Sequence, residues 1–118
     1  MKKVLITIIS MLLPLMASAW TSAWGTNVNG IYYLFDSSQK TATVTCEYVI
    51  YWNGGKIDDW KKADYSGAID IPSEVTYNEE TYEVTAIGDV AFAGTDITSV
   101  SIPESVVSIG NRAFYECI

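Results

Sequence analysis

The chain contains no histidine, only two cysteines, and only seven basic residues in 118. Without histidine, Ser-His-Asp triads, His-based metal sites and haem ligation through His are closed to this chain alone. Cys46 and Cys117 are too few for the disulfide framework of a miniprotein. Lys2 and Lys3 stand at the extreme amino terminus, which leaves five basic against fourteen acidic residues downstream, a formal charge of about −9. A surface this acidic repels phosphate backbones, so nucleic acid is not the expected partner. Disorder is a poor fit as well, because 49% of the chain is apolar and 13% aromatic.

Long apolar runs are also missing, apart from one at the start. Met1-Lys2-Lys3 precedes an apolar stretch from Val4 to Met16, broken only by Thr7, Ser10 and Pro14, and Ala17-Ser18-Ala19 follows. That is the pattern of an export signal, with cleavage expected between Ala19 and Trp20. The run of 13 residues falls short of the ~20 that cross a bilayer. No cysteine at the cleavage point offers a lipid anchor, and no later segment is long enough to span. The expected product is secreted or held at the bacterial cell surface, with 99 residues left to fold. That length makes one small domain with a modest core.

Within those 99 residues the chain repeats itself. Val84-Thr85-Ala86-Ile87-Gly88-Asp89-Val90-Ala91-Phe92 lies over Val106-Val107-Ser108-Ile109-Gly110-Asn111-Arg112-Ala113-Phe114 at an offset of 22. Val, Ile, Gly, Ala and Phe recur at five of nine positions, where unrelated sequence gives about one. Ile69-Asp70-Ile71-Pro72 matches Val100-Ser101-Ile102-Pro103 at an offset of 31, and the nine extra residues, 75–83, sit inside the first unit. Val100 and Ile102 share one face of a short strand by period two, and Pro103, lacking an N–H, ends it. Gly110 is expected at a tight corner. A unit of this kind cannot bury its own inner face and needs stacked neighbours, which is the physics of a solenoid.

The pattern Val-x-Ile-Pro-x-x-Val-x-x-Ile-Gly-x-x-Ala-Phe-x-x-Cys, carried by Val100 to Cys117, resembles the leucine-rich repeat of BspA-like (Treponema pallidum-type) bacterial surface proteins. Ile69 to Thr95 follows it around the insertion. Gly30 to Thr45 is similar to the amino-terminal capping hairpin of such proteins in gut and oral Bacteroidetes. Thr95 stands where the repeat usually has Cys, and Ser66 where it usually has Leu. The insertion reads as a hairpin of Val75–Tyr77 against Thr81–Val84, with Asn78-Glu79 at a turn where the family often has Asn-Gly. The resemblance implies a mainly β, right-handed leucine-rich-repeat solenoid of about two short repeats behind a β-hairpin cap. Residues 1–19 form the signal peptide, 20–65 an amino-terminal arm and β capping region, and 66–118 the repeats. The first repeat is 66–96, with its insertion at 75–83. The second, 97–118, is incomplete.

In the capping region, Thr41, Thr43, Thr45 and Glu47 alternate with Ala42, Val44, Cys46, Tyr48, Ile50 and Trp52. This is the period of a half-buried strand, paired across the loop 36–40 with Ile31–Phe35. Asn53-Gly54-Gly55 marks the next turn, and Trp20–Asn27 reads as a loose arm. Nine core positions are expected: Ile71, Val84, Ile87, Phe92, Val100, Ile102, Val106, Ile109 and Phe114. Cys46 and Cys117 are expected buried and unpaired, one in the cap and one in the last coil. Asp58-Asp59 beside Lys61-Lys62 reads as a solvated loop of mixed charge rather than a carboxylate or calcium site.

No residue pattern points to catalysis, and no cofactor or metal ligand set is expected. The resemblance implies a non-enzymatic exported surface protein that binds or adheres to host or neighbouring-cell proteins. Its partner face is expected on the outward side chains Asp70, Ser99 and Ser101. A glycan-binding module is the alternative, with Tyr51, on the polar side of its strand, and Trp60, in a loop, as the stacking platform. An enzyme is a distant third. Because the chain stops at Ile118, before the next strand of the repeat, it reads as an amino-terminal fragment. Its last coil is then expected to be open, marginally stable or self-associating.

Overall fold

The computed structural model describes residues 20–53 and 55–117, so the expected export signal lies outside the described residues. Those residues form eleven strands in three sheets and no helix. The repeat is visible directly as strand register. Strands β7 (Ser66–Asp70) and β10 (Asp96–Ser101) run parallel, with Ile69 beside Val100 and Asp70 beside Ser101, the sequence offset of 31. Each ends two residues before Pro72 or Pro103, where the ladder loses its donor. Strands β9 (Glu80–Ile87) and β11 (Ser108–Ile109) are also parallel, with Ile87 beside Ile109, the offset of 22. Between these strands the turns stack by backbone bonds from Val90, Phe92 and Gly94 N–H to the carbonyls of Asn111, Ala113 and Tyr115, at 3.0, 2.8 and 2.8 Å. The Phe92 and Phe114 rings stack, 5.4 Å between centroids and 10° between planes.

The inserted hairpin joins β8 (Glu74–Tyr77) to β9 through Asn78 and Glu79, both at positive φ. That is the primed turn an Asn-Gly pair would form more easily. Upstream, β3 (Ile31–Asp36) and β4 (Thr41–Thr45) make the expected capping hairpin. Strand β4 also pairs parallel with β9, setting Ala42 beside Val84 and Val44 beside Ile87. The cap thus offers the first coil a surface shaped like another coil, and Ala42, Val44, Val84, Ile87 and Phe92 are buried between them.

Several expectations are corrected. The stretch 20–27 is not a loose arm: β1 (Trp20–Trp24) and β2 (Thr26–Val28) are strands, paired with β5 (Tyr48–Trp52) and β3. Residues 41–52 are two strands, not one. At Cys46-Glu47 the chain leaves β3 and β9 and enters a second antiparallel sheet, β1-β5-β6, with β6 at Lys56–Lys61. Thr45 and Cys46 are both buried, so the alternation loses its phase there. The buried Tyr65 hydroxyl holds this junction, donating to the Thr45 carbonyl and accepting from Tyr32 N–H, each at 2.8 Å. Asp58, Asp59 and Trp60 lie in strand β6, not a loop.

The core is also smaller than expected. Ile71, Val84, Ile87 and Phe92 are buried, but Val100, Val106 and Phe114 are only half-buried, and Ile102 and Ile109 are exposed. The second coil packs against described neighbours on one side only. Gly110 is needed for close approach rather than for a left-handed corner: a Cβ there would lie 2.5 Å from Asp89 N and 2.7 Å from Gly88 C. Cys46 and Cys117 are free thiols, as expected, but only Cys46 is buried; Cys117, in the coil covered on one side, is half-buried. Thr95, at the repeat's cysteine position, donates its hydroxyl to the Phe92 carbonyl at 2.6 Å, and the Cys117 thiol reaches the same carbonyl at 2.7 Å.

Candidate functional site

Two surfaces stand out, on different sheets. The first is the outer face of β7 and β10. Asp70 and Ser101 are exposed and directly paired, and Ser99 sits beside exposed Ala68. A bulge at Thr98 inserts one extra exposed residue into β10 and shifts the offset from 30 to 31 along the pair. This face is polar and made of short side chains, so it presents hydroxyls and the carboxylates of Asp70 and Asp96 with little side-chain entropy to lose on contact. The sequence expectation of Asp70, Ser99 and Ser101 on one outward surface matches this geometry.

The second surface is aromatic, and it is not where the sequence reading placed it. The phase change at Cys46-Glu47 turns Tyr51 inward. Tyr51 and Trp60 pack with Ile57 against buried Cys46, Val49, Val90 and Ala93. The Tyr51 hydroxyl donates to Asp89 Oδ2 at 2.9 Å, and Asp89 Oδ1 accepts from Asn111 N–H at 2.7 Å. Burial, then the bond to the Asp89 carboxylate, pushes the Tyr51 phenol well above its ordinary pKa. Tyr51 therefore ties the second sheet to the first turn of the solenoid. A bulge at Asp58 in β6 puts Ile57 and Trp60 on the same inner face although they are three residues apart.

The outer face of that sheet carries Trp20, Trp24, Tyr48 and Trp52 instead. Trp20 pairs with Trp52, centroids 4.5 Å apart, and Trp24 pairs with Tyr48 at 4.8 Å. The three tryptophans are 54%, 63% and 39% exposed in the order Trp20, Trp24, Trp52. Lys56 stands opposite Trp52 and Lys61 opposite Tyr48, the latter bonded to Glu47 at 3.2 Å. The sequence reading missed Trp20 and Trp24 as platform residues. The available signal was Trp-x-x-x-Trp in a stretch of strand formers, two large rings on one face by period two.

The Cys46 thiol is buried, 3.2 Å from the Tyr48 carbonyl, and burial raises its pKa, the reverse of an activated nucleophile. Among the described residues no three acidic or cysteine side chains converge to hold a metal ion, and no helix is long and apolar enough to cross a membrane. A surface depression lined by Ile97, Thr98, Ser99, Val100 and Cys117 is shallow and borders the second coil.

Comparison with known proteins bears on these surfaces. Residues 85–118 match the family described as BspA type leucine rich repeat region (6 copies). A leucine-rich cell surface protein from Faecalibacterium prausnitzii A2-165 is 29% identical, with a TM-score of 0.57. The match covers 82% of this chain and 22% of that one. A leucine-rich repeat protein from Bacteroides capillosus ATCC 29799 is 34% identical, with a TM-score of 0.54, over 77% of this chain and 57% of that one. This chain therefore spans under a quarter of one neighbour and somewhat over half of the other. No significant match is found among curated protein sequences.

Proposed function

We propose that this chain, a BspA-type leucine-rich-repeat protein of bacterial surface type, is exported and binds another extracellular protein through the outer face of β7 and β10. The observation that carries the reading is the in-register, exposed pair Asp70–Ser101, flanked by Ser99. Stacked parallel strands build an extended flat face of the kind repeat proteins use for recognition. Adhesion to host matrix or neighbouring-cell proteins is the role this surface would serve, and a neighbour described as a cell surface protein supports the location. The test is binding of the exported protein to an array of extracellular-matrix and cell-surface proteins, repeated with Asp70→Arg plus Ser101→Arg. Loss of a specific signal in a variant that still melts like the parent supports the face. An undiminished signal moves recognition elsewhere.

A second reading rests on a separate observation, the row of exposed Trp20, Trp24 and Trp52 with half-buried Tyr48. Large aromatic faces stack on sugar rings, and this row replaces Tyr51 and Trp60 as the glycan platform. Glycan-array binding abolished by Trp24→Ala plus Trp52→Ala, with the protein array blank, would favour it over the strand-face reading.

A further inference from the structure

Among the described residues, strand β1 lies at the edge of its sheet and pairs with β5 alone. The opposite edge of the same sheet, β6, is guarded: it carries Lys56, Asp58, Asp59 and Lys61 and a bulge at Asp58. Charges and bulges of this kind keep sheet edges from pairing with other chains. β1 has neither. Its five residues, Trp-Thr-Ser-Ala-Trp, include no charge, no proline and no register break.

The hydrogen-bond phase of β1 follows from its end. Gly25 N–H donates to the Glu47 carbonyl at 2.9 Å, so the Glu47–Tyr48 peptide turns its C=O toward β1 and its N–H toward β6, which makes Trp24–Tyr48 a non-bonded pair of the β1–β5 ladder. Bonded and non-bonded pairs alternate in an antiparallel ladder. Ala23–Val49 and Thr21–Tyr51 are then bonded pairs, while Trp20, Ser22 and Trp24 turn their N–H and C=O groups to the free edge. The close ring contacts Trp20–Trp52 and Trp24–Tyr48 fit this phase, because side chains approach most closely across non-bonded pairs.

We propose that β1 is a self-association edge, pairing antiparallel with β1 of a second copy about a two-fold axis through Ser22. The sequence is nearly palindromic about that residue. Such pairing sets Trp20 against Trp24, Ser22 against Ser22 and Thr21 against Ala23, and the outward-turned residues 20, 22 and 24 are those that bond in this register. A two-fold interface must be self-complementary in this way. The acidic charge of each copy does not oppose it locally, since no side chain of the edge is charged. The pairing would join two sheets into one of six strands. Across it, Tyr48 and Trp24 of one copy would continue into Trp20 and Trp52 of the other, a single aromatic row longer than either copy holds alone.

The test uses the exported product of the full reading frame. Sedimentation over a concentration series should show monomer passing to dimer. Ser22→Lys, which sets two like charges face to face on the axis, should weaken association about fivefold or more. Ser22→Cys should cross-link under mild oxidation, because facing residues in a bonded pair lie about 5.5 Å apart between Cα atoms, within disulfide reach. Thr21→Cys should not, since the two Thr21 positions are offset along the strands to beyond about 7 Å. Both cysteine variants keep Cys46 and Cys117, so the native thiols are a shared background. A protein that stays monomeric throughout overturns the proposal, as does association indifferent to Ser22→Lys, which would place it at another surface. Cross-linking of Ser22→Cys no greater than that of Thr21→Cys overturns it too.

Discussion

The two coils use the same residues at the same positions and differ in what flanks them. Val84, Ile87, Ala91 and Phe92 of the first coil recur as Val106, Ile109, Ala113 and Phe114 of the second. The first lies between β4 and the second coil, and Ile87 is 1% exposed; the second meets described neighbours on one side, and Ile109 is 54% exposed. Burial in a stack is thus decided by neighbours and not by the residue itself, which is why solenoid stability is a sum of intrinsic and nearest-neighbour terms. Pattern alone places an isoleucine on the inner side of a coil. It does not say that a further layer covers it.

The sharpest way to break this comparison is to empty equivalent sites. Phe92→Ala should cost on the order of 3–5 kcal/mol, because the ring is fully enclosed and its removal leaves a cavity. Phe114→Ala should cost on the order of 1–2 kcal/mol, since a half-buried ring forfeits part of its transfer free energy and leaves an open dent. Urea unfolding followed by circular dichroism measures both. Equal losses would mean that the second coil is as well covered as the first and would overturn the nearest-neighbour account.

The same contrast explains what was legible beforehand. The offsets 31 and 22 reappear as the registers of β7 with β10 and β9 with β11, because stacked repeats place equivalent residues side by side. The capping hairpin was legible for a similar reason: its alternation is local and its turn is short. The sheet β1-β5-β6 was not. Its phase is set by a change of sheet at Cys46-Glu47 and a bulge at Asp58, each of which shifts a strand by one residue and exchanges its faces. The shift at Cys46-Glu47 moved Tyr51 inward to Asp89 and left Tyr48 and Trp52 outside with Trp20 and Trp24. The charged residues around Trp60 read as loop for the same reason, being the outer face and guarded edge of a strand. Asp70, Ser99 and Ser101 face outward as their pattern implies, because they belong to the part of the chain where repetition fixes the phase.

The glycines reverse the order of the coils. A Cβ at Gly88 would meet the Val44 carbonyl at 3.1 Å and the Thr43 methyl at 3.2 Å, contacts relieved by small shifts. At Gly110 the obstacles are Asp89 N at 2.5 Å and Gly88 C at 2.7 Å, both backbone atoms of the coil below. Gly110→Ala must therefore push the coils apart, at about 1–3 kcal/mol, and Gly88→Ala should cost less. Thermal melts of the two variants give the ranking. A greater loss from Gly88→Ala would show that the inter-coil spacing is softer than the contacts imply.

The smallest expected effect is a gain. Gly94 and Glu116 are equivalent by the offset of 22, and both are left-handed, at φ +69° and +55°. Glycine adopts that conformation freely, whereas a side chain there is held against its Cβ by roughly 1–2 kcal/mol. Glycine in turn gives up more chain entropy on folding, by roughly 0.5–1 kcal/mol. Glu116 is exposed, and its side chain makes no hydrogen bond or ion pair among the described residues, so little else is lost with it. The difference favours glycine by a few tenths to about 1 kcal/mol, and Glu116→Gly should raise the melting temperature slightly. The reciprocal change, Gly94→Glu, should lower it by more, because the first coil's turn is held on both sides, by the Tyr115 carbonyl and by Lys62 Nζ at 3.2 Å from the Gly94 carbonyl. If Glu116→Gly destabilises instead, the left-handed turn is not under strain, and the second coil's end owes its shape to the Glu116 side chain.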